Sequence, residues 1–280
     1  MIRINSRYLA SSFLVLTLSV IGFYSPNNTS LGSELKNNKE IIILGNWTEN
    51  KLNVLLLQSS MITDTGERID FLSEQFFGVD YRESTLIGDA NTPEVFVINL
   101  AGMDCFTYID YVEAMRLSNS FPQFEQRLKQ VRYRSGVVSF QNRNHFFTDW
   151  PVFNKDHVRD VTEEVGDKKT EVVEKVLNKK EDGTYFLPGI PVKERKIKYI
   201  SSSTVDDLII KRLRTGDYIG IYSDVQGLDV SHTGIVIKNG DGDKVYLRHA
   251  SSREENRKVV DEDFRNYIAN KPGIIVFRLK

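Results

Sequence analysis

One cysteine and two histidines are the residues of this sequence that could form a catalytic centre. The chain has a single cysteine, Cys105, and four histidines. A thiolate is a good nucleophile, and an imidazole can take the thiol proton and later deliver it to a leaving group. Because a lone cysteine cannot form a disulfide within its own chain, Cys105 is either a small core residue or a reactive group.

The residues around Cys105 favour the reactive alternative. Residues 94–100 read as a buried strand, and residues 105–117 have the apolar spacing of a helix. Asp104 is the predicted N-cap of that helix. A thiol in the first helical turn lies at the positive end of the helix dipole, which favours thiolate. Backbone N–H groups at that end can also donate to an oxyanion.

The two histidines in the C-terminal third are the candidates for the base and its partner. His232 begins one predicted strand and His249 ends the next, with the turn-rich segment NGDGD between them. A four-residue turn would pair Lys238 with Asp243. Counting outward then places His232 directly opposite His249 on one face, whereas an odd turn would separate the rings. With an even turn, we assign His232 as the base and His249 as the residue that orients it.

Composition and spacing argue against several other functions. Two histidines and a thiol could bind zinc, but no HExxH or CxxC spacing is present, so no metal and no cofactor is expected. The formal net charge is -1, from 37 basic and 38 acidic residues. We therefore expect no nucleic-acid partner.

The order of the predicted elements indicates an α+β fold, with helices in the first part and an antiparallel sheet at the end. The helices are predicted over residues 67–77, 105–117, 124–131, 170–177 and 205–213. The strands are predicted over residues 94–100, 218–222, 232–238, 244–251 and 273–279. Residues 133–165 read as loop, and the Lys/Glu-rich residues 163–182 read as a solvated helix face.

The N-terminus is typical of a secretory signal. Arg3 and Arg7 precede an apolar run over residues 9–24, which a polar stretch then ends. We expect an exported protein, periplasmic or extracellular, with no stable membrane association unless this segment remains as an uncleaved anchor. The predicted organisation is a signal or anchor in 1–30, a poorly defined segment in 31–66 and a catalytic domain in 67–280.

Five blocks of the sequence resemble one branch of the NlpC-type cell-wall cysteine peptidases, the N-acetylmuramoyl-L-alanine amidase-like proteins. These blocks occur in the expected order between about residue 67 and the C-terminus: GVDYRESTL, VINLAGMDCFTYID, RYRSGVVSFQNRNHFFTDW, GDYIGIYSDVQGLDVSHTGIVI and RHASS. The resemblance implies a papain-like fold in which an N-terminal helical part carries the cysteine and a C-terminal antiparallel sheet carries the two histidines. It places a catalytic triad on Cys105, His232 and His249.

The resemblance also implies the substrate. Two other functions remain as alternatives to the amidase. The partners would be muropeptides derived from peptidoglycan, cut at the amide between N-acetylmuramic acid, in its 1,6-anhydro form, and L-alanine. One alternative is a γ-D-glutamyl-diaminopimelate endopeptidase of the same superfamily. The other is a non-catalytic module that binds muropeptides.

Further residues are candidates for substrate binding, each with a structural alternative: Asn99, Tyr81, Arg143, His145, Asp149, Trp150 and Asp229. Asn99 could donate to the oxyanion or brace a turn, and Tyr81 could line the cleft or belong to the core. The four candidates within residues 143–150 could bind sugar and peptide carboxylates, or form a surface loop with one buried Trp. Asp229 could pair with a substrate amine or only form a turn.

Overall fold

The structure is a computed structural model that describes residues 40–240 and 244–280. The predicted signal or anchor in residues 1–30 lies outside the described residues. Among the helices that are described, none combines the length and the apolar character needed to cross a membrane.

The described part of the chain contains both helices and strands, and most of the longer strands lie in its second half. Its helices are α1 (Glu49–Ser60), α2 (Thr65–Glu74), α3 (Cys105–Arg116), α4 (Phe121–Arg132), α5 (Trp150–Phe153), α6 (Thr162–Gly166), α7 (Asp207–Arg212) and α8 (Phe264–Ile268). Its strands are β1 (Glu40–Ile43), β2 (Asp80–Tyr81), β3 (Phe96–Asn99), β4 (Gly102–Met103), β5 (Val158–Asp160), β6 (Thr170–Leu177), β7 (Lys193–Ser201), β8 (Tyr218–Tyr222), β9 (Val230–Lys238), β10 (Val245–Ala250), β11 (Val259–Asp263) and β12 (Gly273–Leu279).

A large antiparallel sheet forms the centre of the molecule. Its strand order is β11-β10-β9-β8-β12-β7-β6, and β5 pairs with β12 beside this path. Two small parallel pairs, β1 with β3 and β2 with β4, lie among the first helices. The predicted mixture of helices and a C-terminal antiparallel sheet is confirmed at this level.

Both faces of the large sheet are buried, and β12 shows how one strand serves both. Its residues Ile275 and Phe277 pack in the core formed with α1 to α4, while Ile274 and Val276 pack in the core formed with α6 to α8. Successive side chains of a strand point to opposite faces, so alternating apolar residues can fill two cores at once.

The predicted domain start at residue 67 was too late. Leu52, Leu55 and Leu56 of α1 are buried in the same core as α3 and α4. Thr48 caps α1, because its side chain accepts a hydrogen bond from the backbone N–H of Lys51. The described part of the segment over residues 31–66 therefore belongs to the same folded unit.

The helix predicted over residues 170–177 was wrong, and so was the solvated helix face over 163–182. Residues 170–177 form β6, paired with β7 along its whole length. Val173 lies opposite Ile197, and Glu174 lies opposite Lys196. Apolar and opposite-charge pairs across a ladder stabilise a strand, and here they override the helical propensity of Glu and Lys. The partner strand was not predicted.

A buried asparagine organises the loop between β6 and β7. The Asn178 side-chain amide donates to the carbonyls of Leu187 (3.0 Å) and Ile190 (2.7 Å), and its oxygen accepts from the Leu187 N–H at 2.7 Å. Its φ of 74° lies in the left-handed region, which Asn tolerates better than most residues. Asn178 thus satisfies three backbone groups that the loop could not pair by itself.

We expect Asn178→Gly to loosen this loop selectively. Glycine keeps the left-handed backbone accessible, so the substitution removes mainly the three side-chain hydrogen bonds. The free energy of unfolding should fall by about 1–3 kcal/mol, and trypsin should cleave faster at Lys179 and Lys180. Glu181→Gly, an exposed glycine substitution in the same loop, is the control. Equal cleavage of the two variants would contradict this role.

Candidate active site

Cys105 is the first residue of α3, and Asp104 is its N-cap, as predicted. The Asp104 carboxylate accepts from the backbone N–H groups of Phe106 (3.1 Å) and Thr107 (2.7 Å). The Thr107 hydroxyl in turn accepts from the Asp104 N–H at 3.0 Å, which completes a capping box. The cap therefore uses two of the helix-terminal N–H groups. The N–H of Cys105 forms no hydrogen bond to another of the described residues and lies next to its own sulfur.

A hydrogen bond joins the start of α3 to the strand that carries His232. The hydroxyl of Thr233, the next residue in β9, donates to the backbone carbonyl of Cys105 at 2.8 Å. Cys105 is only half-buried, so part of the residue remains accessible. The fold thus holds the start of α3 against β9 at the residue that follows His232.

The two predicted histidines are in direct contact. Nε2 of His232 lies 2.7 Å from Nδ1 of His249, and the ring planes are nearly perpendicular at 87°. The predicted register was wrong by two residues, because Lys238 pairs with Val245. Since the shift is even, the two histidines still share a face, as diagonal neighbours.

The register differs because the turn begins one residue later than predicted. Asn239 and Lys244 close it: the Asn239 N–H donates to the Lys244 carbonyl at 3.2 Å. The Lys244 N–H donates to the Asn239 side-chain oxygen at 2.9 Å. The side chain of Asn239 therefore extends the ladder by one pair beyond Lys238.

Glu262 is a third member of this group, and it was missed from the sequence. Its Oε1 lies 3.0 Å from Nε2 of His249, and its Oε2 accepts from Arg253 at 2.6 Å. Glu262 lies in β11, which pairs with β10 and places Glu262 opposite Leu247. β11 has the sequence VVDED, which lacks the apolar and polar alternation of a strand, and no strand was predicted there.

Burial determines the charge state of these groups. It lowers the pKa of His232 to about 4 and that of His249 to about 2. It raises the pKa of the Cys105 thiol to about 12, and the neighbouring Asp104 carboxylate raises it further, although Thr233 partly offsets this. Desolvation therefore outweighs the helix dipole, and the sulfur is a thiol and not the predicted thiolate. To act as a nucleophile, this thiol would need a base that takes its proton.

Tyr81 forms part of the surroundings of Cys105. It is half-buried in β2, opposite Met103 of β4. Burial raises the pKa of its hydroxyl to about 12, and the nearby Cys105 and Asp104 contribute to this increase. The hydroxyl is therefore protonated at neutral pH and able to donate a hydrogen bond beside the thiol.

A cavity of about 520 Å³ opens next to Asp104. Its lining residues come mainly from the segments over 84–91 and 186–188: Ser84, Leu86, Gly88, Asp89, Ala90, Asn91, Asp104, Phe140, Arg143, Phe186, Leu187 and Pro188. The Arg143 guanidinium is paired with the buried Glu94 carboxylate at 2.5 Å. Arg143, a predicted binding residue, thus lies in the cavity wall with its charge neutralised.

Asp149 and Trp150 are buried, which contradicts their predicted role in binding sugar and peptide. Asp149 pairs with Lys193 (2.9 Å) and Arg195 (2.8 Å) and is 0% exposed. Trp150 is also 0% exposed and donates from Nε1 to Asp110 at 3.2 Å. An indole with no accessible face cannot stack on a sugar, so both residues belong to the core.

Asp229 and Asn99 have structural partners as well. The Asp229 carboxylate is 2% exposed and accepts from the N–H (2.7 Å) and the hydroxyl (2.8 Å) of Thr148. A buried carboxylate with these partners is not available to a substrate amine, which corrects that prediction. Asn99 accepts from the N–H of Ala101 at 3.1 Å, the turn-bracing alternative.

His145 is a neutral residue that supports the cavity wall. Its Nε2 lies 2.7 Å from the carbonyl of Phe140, and its ring packs edge-on against the Phe140 ring. Burial lowers the pKa of His145 to about 4, so the nitrogen donates to that carbonyl. Its predicted contact with substrate carboxylates is not supported. Over the described ranges, no group of three or more His, Cys, Asp or Glu residues could hold a metal ion.

Comparison with known proteins identifies relatives of this fold. Residues 71–274 match the profile of the AmiA-like family, described as N-acetylmuramoyl-L-alanine amidase-like. A Legionella pneumophila protein shares the fold, with a TM-score of 0.70, 23% identity and coverage of 82% of this chain and 94% of its own. An N-acetylmuramoyl-L-alanine amidase from Bacteroides uniformis is 26% identical, with a TM-score of 0.63 over 77% of this chain and 99% of its own. The comparison with curated proteins found no significant match.

We expect Trp150→Ala to destabilise the protein without a selective effect on substrate binding. Loss of a fully buried indole should lower the free energy of unfolding by about 3–5 kcal/mol, as measured by chemical denaturation. Val152→Ala, at a 48% exposed position two residues away, should change it by less than about 0.5 kcal/mol. Normal stability of the Trp150 variant would contradict the core assignment.

Proposed function

The chain belongs to the AmiA-like family of N-acetylmuramoyl-L-alanine amidase-like proteins, and we propose that it is a cysteine amidase acting on peptidoglycan fragments. The observation that carries this proposal is the hydrogen-bonded series His232, His249 and Glu262 beside the helix that begins at Cys105. An oriented imidazole next to a thiol at a helix start is the arrangement that acyl transfer through a thioester requires.

The first half of the reaction uses His232 as the base. Its Nε2 is engaged with His249, so Nδ1 is the nitrogen left to take the proton of the Cys105 thiol. The sulfur attacks the amide carbon, a C–S bond forms, and the carbonyl oxygen becomes an oxyanion. The unpaired N–H of Cys105 can donate to that oxygen. His232 then gives its proton to the amide nitrogen as the C–N bond breaks.

The second half regenerates the enzyme. A water molecule gives a proton to His232 and attacks the thioester carbon. The C–S bond breaks, and the proton returns to sulfur. The low pKa of His232, about 4, keeps the imidazole neutral and able to accept a proton at both stages at neutral pH. The high pKa of the thiol means that proton transfer accompanies the attack.

We assign the scissile bond to the amide between the lactyl group of N-acetylmuramic acid, in its 1,6-anhydro form, and L-alanine. The family description and the amidase name of the Bacteroides uniformis relative support the choice of this amide, and the 1,6-anhydro form of the sugar is part of the proposal alone. A papain-like arrangement with the cysteine on a helix and the histidines on the sheet belongs to the same proposal, as does export to the wall compartment.

The cavity beside Asp104 suits the sugar side of such a substrate. Arg143 is neutralised by Glu94, so the carboxylates of Asp89 and Asp104 leave the wall negative. A stem peptide carries free carboxylates and would be repelled there, whereas the anhydro sugar is uncharged. Apolar side chains in the wall, among them Phe186, match the CH faces and acetamido methyls of a sugar. The peptide part of the bound substrate then lies on the other side of Cys105.

Substitution of the nucleophile should separate the candidate activities. Cys105→Ala and Cys105→Ser should lower the rate of anhydro-muropeptide hydrolysis by at least about 10³-fold while the proteins remain folded. Mass spectrometry of the wild-type digest should show the free anhydro-sugar and a peptide that begins with L-alanine. A sugar that retains L-Ala-D-Glu would indicate the endopeptidase instead. Binding without turnover would indicate the non-catalytic module.

Phe186→Ala should lower kcat/KM only for substrates that contain the sugar. We expect kcat/KM to fall about tenfold for an anhydro-muropeptide, equivalent to about 1.4 kcal/mol of lost contact. A D-lactyl-peptide with the same amide and no sugar should react at an unchanged rate. Tyr185→Ala, an exposed aromatic neighbour outside the cavity lining, is the matched control. An equal loss on both substrates would exclude the sugar from this cavity.

A further inference from the structure

We propose that Glu262 is a positioning residue that sets the tautomer of both active-site imidazoles, and that Arg253 holds the Glu262 carboxylate in the orientation this requires. The inference rests on the proposed role of His232 as the base. It assigns a function to a residue outside the Cys-His-His triad. It also explains which nitrogen of His232 is free to accept a proton.

The first step is the contact between Glu262 and His249. A carboxylate only accepts hydrogen bonds, and Oε1 of Glu262 lies 3.0 Å from Nε2 of His249. The proton of His249 must therefore be on Nε2. Because burial keeps His249 neutral, its Nδ1 has no proton and can only accept.

The second step is the hydrogen bond between His249 and His232, which fixes the tautomer of His232. Its Nε2 lies 2.7 Å from the accepting Nδ1 of His249, so it must carry the proton of that hydrogen bond. A neutral His232 with its proton on Nε2 has a bare lone pair on Nδ1. That lone pair is the site that can take the thiol proton. Without Glu262, the histidine pair could equally donate in the opposite direction, which would leave a proton on Nδ1 of His232 and no base.

The third step concerns how the carboxylate itself is held. Arg253 donates to Oε2 at 2.6 Å, and Oε1 is the oxygen next to His249, where it also accepts from Ser251 and Asn256 at 3.5 Å. The Arg253 guanidinium also lies 4.9 Å above the ring of Tyr267, and that ring packs against His249 at 4.9 Å. The charged groups around the histidine pair are the Glu262 carboxylate, the Arg253 guanidinium and the Lys271 ammonium, which lies 5.6 Å from the centre of the Tyr267 ring. Arg253 offsets the negative charge, so Glu262 fixes the direction of the hydrogen bonds without making His249 a cation.

Glu262→Gln tests this directly, because it keeps the shape of the side chain and lets it donate the hydrogen bond to His249 that Glu262 accepts. Arg253 can only donate, so it takes the amide oxygen and leaves the amide NH₂ facing Nε2 of His249. Both hydrogen bonds, the one between residue 262 and His249 and the one between His249 and His232, then run in the opposite direction. We expect kcat to fall at least about 10²-fold, as expected when a base is held in the wrong tautomer. In Arg253→Ala/Glu262→Gln the amide is free to turn, so kcat should recover at least tenfold relative to the single variant.

Histidine ¹⁵N NMR reads the tautomers without any substrate, and the chain has only four histidines to assign. The wild type should show the proton on Nε2 of both His232 and His249, and Glu262→Gln should show it on Nδ1 of both. Glu254→Gln, an exposed control in the same loop, should resemble the wild type. Unchanged tautomers in a folded Glu262→Gln protein, or full activity of that variant, would overturn the proposal. Because this measurement needs no turnover, it stands apart from a failure of the proposed amidase activity.

Discussion

The pairing register of β9 and β10 determines which side chains meet beside Cys105. Side chains alternate between the faces of a strand, so a shift of one residue would send one histidine into the opposite core. Asn239 closes the turn and holds the register at one end. Near the other end, Arg248 pairs with Asp70 of α2 (2.7 Å) and Asp261 of β11 (2.8 Å). The residue that precedes His249 thus ties β10 to both neighbouring elements.

Desolvation gives this centre its chemical character. The helix start and Thr233 favour the ionised sulfur, but the surrounding protein and the Asp104 cap favour the protonated thiol, and these two dominate. The same removal from water keeps the imidazoles neutral. The thiol and both imidazoles are therefore uncharged at rest, and the charges beside them are those of Asp104, Glu262, Arg253 and Lys271. In the proposed mechanism, charge separation occurs only when a substrate carbonyl is present to accept the electron pair.

The sequence predicted the parts of the site that depend on local patterns. Helical periodicity and an N-cap located Cys105, and turn residues flanked by alternating strands located the histidine pair. The exact register, β11 and β7 were not predictable in this way, because partner strands and the Asn239 side chain decided them. Burial was the main source of error: nothing local distinguishes the enclosed Trp150 and Asp149 from the accessible Tyr81.

In the proposed mechanism, the strand order separates the residues that cleave the bond from those that recognise the substrate. His232, His249 and Glu262 lie on the three consecutive strands at one edge of the sheet, whereas the loop with Phe186 joins the two strands at the opposite edge. An insertion or deletion in that loop would reshape the cavity and leave the ladder of β9, β10 and β11 as it is. Under the proposed function, a change in this one hairpin tip would alter which fragments are accepted and leave the reactive groups in place.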